Sequence, residues 1–132
     1  MSAEFVDTNV ILYSLSDDVA KRRRALMILV DRPVLSLQVL NEAANVMRRK
    51  LGFAIPAIRE VMLRWLVESR LHSLASSTLL SALDVAERYG FSHYDSLIIA
   101  AALEAGCATL YSEDLQHGQV IDQRLTIIDP FK

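Results

Sequence analysis

The sequence predicts an α/β fold: one domain over residues 1–132, with a central parallel sheet of about five strands and helices on both faces. Three observations carry this. Short apolar runs alternate with longer segments of helical periodicity, the order of a chain built from strand–helix–strand units. The prolines and glycines fall at the edges of these segments and act as punctuation. At 132 residues the chain can bury one sizeable core without cross-links.

Residues 3–6 read as a first strand ending at Asp7. Residues 17–30 read as a helix, with Asp17 and Asp18 in its first turn, four before Lys21 and Arg22. Pro33 opens a second strand over 34–36. A helix follows from 37 to 51 and stops at Gly52. Pro56 suits the first turn of a helix over 57–69. Residues 71–74 form a third strand, and 78–89 a helix ended by Gly90. Residues 94–105 form another helix, ended by Gly106. Strands over 109–111 and 125–128 complete the sheet. No repeat, low-complexity tract or linker interrupts this order.

Composition excludes several classes. The net charge of −2 gives no bulk support to nucleic-acid binding, so such a partner would need a local basic cluster or a metal. Lys21, Arg22, Arg23 and Arg24 form the densest basic run, with Arg48, Arg49 and Lys50 second. Basic runs on helices are usually solvated faces. The apolar run 97–103 is too short to span a bilayer. The start, Met-Ser-Ala-Glu-Phe-Val-Asp, carries no basic leader or cleavable apolar segment. The lone Cys107 has no disulfide partner within the chain. The expectation is a cytoplasmic protein with no membrane partner. An apolar fraction of 52% points to a further buried surface, as in an oligomer.

Four acids lie where a strand gives way to a helix or within the helix that follows: Asp7, Glu42, Asp95 and Asp114. Sheets of this type place their sites beyond the carboxyl ends of the strands. Two bare charges about 4 Å apart repel by roughly 4 kcal/mol at an effective dielectric of about 20. Acids gathered in one cleft therefore imply a hard divalent cation, Mg²⁺ or Mn²⁺. Each acid also has an ordinary explanation. Asp7 would cap a helix starting at Thr8, with Asn9 beside it. Glu42 lies on the border of an apolar helix face, near Gln38 and Asn45. Asp95 has capping-box spacing from Ser92. Asp114 sits in a polar turn with Ser112, where Glu113 competes with it as a ligand. Other chemistries lack support. His72, His93 and His117 have no zinc spacing, and no Gly-rich phosphate loop or nucleophile elbow is present. An aspartyl-phosphate enzyme would want a second Asp two residues after Asp7, where Asn9 stands.

Together these segments resemble the PIN-domain ribonucleases, and more narrowly the VapC-type toxins of toxin–antitoxin pairs. Phe5-Val6-Asp7-Thr8-Asn9-Val10 resembles the family's opening motif, and Ser36-Leu37-Gln38-Val39-Leu40-Asn41-Glu42 the second. Ser92-His93-Tyr94-Asp95-Ser96 with the apolar run after it resembles the third. Leu110-Tyr111-Ser112-Glu113-Asp114 resembles the fourth, and Asp129-Pro130-Phe131 the tail. The resemblance implies an α/β/α sandwich and cleavage of RNA at an acidic cleft holding Mg²⁺ or Mn²⁺. It assigns Asp7, Glu42, Asp95 and Asp114 as catalytic metal-site acids, choosing Asp114 over Glu113, with Thr8, Asn9 and Ser112 as accessory groups. It further implies a homodimer and a small antitoxin protein as partner. The rival expectations are a PIN-like binding module with little catalysis and a phosphotransfer enzyme using Asp7 as nucleophile.

Overall fold

The computed structural model describes residues 3–132. Strand β1 (Ala3–Val6) leads into helices α1 (Thr8–Tyr13) and α2 (Val19–Leu29). Strand β2 (Val34–Ser36) is followed by α3 (Leu37–Arg49) and α4 (Ile55–Glu68). Strand β3 (Arg70–His72) is followed by α5 (Ser76–Tyr89) and α6 (His93–Glu104). Then come β4 (Cys107–Tyr111), β5 (Val120–Ile121) and β6 (Leu125–Ile128).

Among the described residues the strands form one six-stranded sheet, in the order β3-β2-β1-β4-β6-β5. All neighbours pair in parallel except β5, which runs antiparallel to β6. The sheet thus has one strand more than the expected five. β5 has only two residues, too few to show a period in sequence. A tight reversal makes it: Asp122 and Gln123 both take positive φ, and Arg124 N–H returns to the Ile121 carbonyl at 3.0 Å.

Parallel strands buried on both faces must be apolar throughout. Accordingly Phe5 and Val6 of β1, Leu35 of β2, Leu110 of β4 and Ile127 of β6 are buried. Val10, Ile11, Val39, Ala43, Ile99 and Ala101 supply the helical side of the core.

The chain steps outward from β1 to β2 to β3, then returns past β1 to place β4 on its other side. Crossovers between parallel strands are right-handed. Steps in opposite directions therefore set α1–α4 and α5–α6 on opposite faces. The reversal of strand order falls between β1 and β4, where a crevice opens at the strand ends. Val6 pairs with Tyr111 there, so Asp7 and Ser112 leave the sheet side by side.

Candidate active site

Asp7 is the first residue beyond β1 and the N-cap of α1. Its extended backbone lets Oδ1 turn back and accept from Thr8 N–H at 2.7 Å. Its Oδ2 accepts from Ser112 Oγ at 2.9 Å, across the β1–β4 seam. Its own N–H donates to the Tyr111 carbonyl at 2.9 Å. Only 4% of Asp7 is exposed, so the carboxylate depends on these two donors. No cation pairs with it among the described residues. Burial pushes its pKa up from 3.8 to about 6; Thr8 and Ser112 oppose that rise, and the charges of Glu42 and Asp114 add to it.

The neighbours in α1 extend the network in two directions. Thr8 Oγ1 donates to Glu42 Oε2 at 2.8 Å, bringing α3 to the site. Asn9 Nδ2 donates to Asp114 Oδ2 at 3.0 Å, bringing in the loop after β4. Asp7, Glu42 and Asp114 thus stand in one row, spaced by the neutral donors Thr8, Asn9 and Ser112. The capping role expected for Asp7 and its place in the acidic site coexist, because its two oxygens serve different partners.

Asp95 makes no contact with this row among the described residues, and only its backbone is fixed nearby. Ser92 Oγ caps α6 by accepting from Asp95 N–H at 3.2 Å. The Asp95 carboxylate has no hydrogen bond or ion pair among the described residues, so the capping box is one-sided. What pins the start of α6 near the row is Gln38. Its Nε2 donates to Glu42 Oε1 at 3.1 Å and to the Tyr94 carbonyl at 3.2 Å. Sequence reasoning gave Gln38 no part of its own. Its position four residues before Glu42 on one helix was the available signal, while its link to Tyr94 is long-range and left none.

Glu113 turns elsewhere. Its Oε1 accepts from Tyr13 OH at 2.7 Å, and its Oε2 lies 3.9 Å from Lys21 Nζ. Lys21 also donates to Tyr13 OH at 3.2 Å. Glu113 is thereby engaged with α1 and α2, whereas Asp114 faces Asn9.

Carboxylates with neutral oxygen and amide neighbours make a donor set suited to a hard divalent cation. Their spacing is wider than a closed site requires. Among the described residues no three His, Cys, Asp or Glu side chains stand close enough to hold one ion together.

Solved structures share the fold at low sequence identity. The Mycobacterium tuberculosis toxin VapC20, described as a sarcin-ricin loop cleaving toxin, is 19% identical, with a TM-score of 0.69 over 85% of this chain and 90% of its own. A toxin–antitoxin complex from Klebsiella pneumoniae contains a chain 19% identical, with a TM-score of 0.70 over 98% of both chains. A DNA-bound VapBC from Salmonella typhimurium contains one 17% identical, with a TM-score of 0.72 over 98% of this chain and 99% of that one. No curated protein matches the sequence. The PIN domain family model matches residues 5–121, from the first core strand to β5, and the chain belongs to the PIN domain family.

Proposed function

We propose that this protein is a Mg²⁺- or Mn²⁺-dependent endoribonuclease, the toxin of a toxin–antitoxin pair, held inactive by a small antitoxin protein. One observation carries the proposal: Asp7 is buried at the switch point and coupled to Glu42 and Asp114, with no cation to balance it among the described residues. A cleaving toxin and toxin–antitoxin complexes among the structural relatives support the choice of substrate and partner. A cytoplasmic homodimer is the accompanying reading, as the family resemblance implies. Among the described residues no helix is long and apolar enough to cross a membrane.

Asp7, Glu42, Asp95 and Asp114 would hold the cation, some of them through its bound waters, because no three stand close enough among the described residues to bind it directly together. Bound there, Mg²⁺ or Mn²⁺ supplies charge to offset the scissile phosphate and to acidify the attacking water. Ser112 and the Thr8 amide fix both Asp7 oxygens, and Thr8 Oγ1 orients Glu42. Asn9 restrains Asp114, which is exposed and would otherwise sample many rotamers. Attack by water rather than by a ribose hydroxyl leaves a 5′-phosphate and a 3′-hydroxyl.

The test is purified protein on varied single-stranded and loop RNAs, with Mg²⁺, Mn²⁺ or chelator, followed by end-group analysis. Asp7→Asn is expected to abolish cleavage while preserving the fold. Metal-dependent cutting by a clean Asp7→Asn preparation refutes the assignment. The open spacing of the acids favours one alternative, a PIN-like binding module with little catalysis. Tight binding of a protein partner with no cleavage on any RNA selects it.

A further inference from the structure

We infer that Gln38 is a positioning residue for the cation: it fixes the spacing between Glu42 on α3 and the α6 turn that carries Asp95, and so sets how tightly the acids hold Mg²⁺ or Mn²⁺. This deepens the nuclease reading and rests on it for the cation itself. Two helices carry these acids, and each helix start is fixed locally. Ser36 caps α3, accepting from Val39 N–H at 3.4 Å, and Ser92 caps α6. Neither cap sets the distance from one helix to the other. Gln38 does: its bond to the Tyr94 carbonyl is the one hydrogen bond between α3 and α6 among the described residues. The Asp95 carboxylate has no partner there, so its placement follows from the backbone that Gln38 holds.

Reach, donor capacity and charge suit Gln38 to this role. It lies four residues before Glu42, on the same side of the helix. Both of its partners are acceptors, so the amide must turn its NH₂ group toward them. Its two N–H groups are spent on Glu42 Oε1 at 3.1 Å and the Tyr94 carbonyl at 3.2 Å. Thr8 Oγ1 holds the other Glu42 oxygen at 2.8 Å, so both oxygens of that carboxylate are restrained. Gln38 is buried, which strengthens these bonds against competition from water. Its amide is also neutral. A lysine there would bring its own charge to Glu42 and compete with the cation, and a second carboxylate would repel. Thr8, Asn9 and Ser112 are uncharged donors to the same row, and Gln38 extends that set toward Asp95. Loss of such outer partners of ligating carboxylates typically costs about 10–100-fold in metal affinity.

The experiment titrates Mn²⁺ into the whole RNA-free chain by calorimetry and measures RNA cleavage against Mn²⁺ concentration in parallel. Gln38→Met keeps the length and packing of the side chain but has no N–H. It is expected to weaken Mn²⁺ binding at least about ten-fold and to raise the Mn²⁺ needed for half-maximal cleavage by the same factor. Excess Mn²⁺ is expected to restore the rate. Gln38→Ala should weaken binding no further than Gln38→Met does. Mn²⁺ binding by Gln38→Met as tight as that of the parent chain overturns the inference. A loss confined to Gln38→Ala assigns the effect to packing and overturns it too, as does a loss that tracks a lower urea midpoint and resists excess Mn²⁺. A parent chain that binds no Mn²⁺ and cuts no RNA defeats the nuclease reading and this inference with it. A parent that binds and cuts, beside an unaffected Gln38→Met, defeats this inference alone.

Discussion

Asp7 ties stability to pH at a single carboxylate. The folded state holds the Asp7 proton more tightly than the unfolded chain does, with a pKa of about 6 against 3.8. Stability from this group is therefore complete below pH 3.8 and is lost as pH rises through about 6. The shift corresponds to about 3 kcal/mol between the two protonation states. Asp7→Asn removes the charge and keeps an oxygen for Thr8 N–H, while the Ser112 hydroxyl can rotate to accept from the new amide. Metal-free Asp7→Asn is expected to gain up to about 3 kcal/mol over the parent chain above pH 7, a gain that shrinks to near zero at pH 4. Urea denaturation across this range checks it; a pH-independent difference contradicts the buried ionisation. Ser112→Ala should do the opposite, costing about 1–3 kcal/mol at neutral pH by leaving a buried carboxylate oxygen without its donor. Cys107 is buried, and burial pushes its thiol up to about 11. Iodoacetamide is expected to label it only on unfolding, which mass spectrometry can read.

The elements show where local sequence suffices. Val34–Ser36 and Tyr89–Gly90 fall where Pro33 and Gly90 mark them. Gly90 ends α5 in the left-handed region at φ 78°. A Cβ added there meets nothing within 4 Å, so Gly90→Ala exposes the backbone term alone. Its expected cost is about 1–2 kcal/mol, visible as a lower urea midpoint with an unchanged m-value. Helix starts were less legible. α2 begins at Val19, with Asp18 as N-cap rather than within the first turn. α5 starts at Ser76, earlier than periodicity suggested. A first turn has no i−4 partners, so its residues carry little periodic signal. Arg64 and Glu68 pair at 3.2 Å because both ends lie on one helix face.

At the scale of the whole molecule, the acidic row joins β1, α1, α3 and the loop after β4, segments far apart in the chain. Any cation bound to this row stabilises the folded state by mass action. At a hundred times its Kd, Mg²⁺ or Mn²⁺ is expected to add about 2.7 kcal/mol, a rise in Tm of about 10 °C. Asp7→Asn should abolish that rise. Calorimetry with equal metal-induced shifts in both proteins would place the ion elsewhere.

The sequence by itself determined the alternation of strands and helices, the glycine and proline boundaries, and Asp7, Glu42, Asp95 and Asp114 as residues worth weighing. Those are local properties, written in spacing and side-chain type. Only the tertiary structure decided that Thr8 links Asp7's segment to Glu42, that Asn9 reaches Asp114, and that Glu113 faces Tyr13 and Lys21. It also decided that Gln38 pins Tyr94 beside Glu42 while the Asp95 carboxylate stays apart from the row's hydrogen bonds. Apart from Gln38–Glu42, four positions apart on α3, these contacts span 34 to 105 positions in the chain. They exist because right-handed crossovers return the chain past β1, a long-range consequence of sheet geometry that no short window of residues encodes.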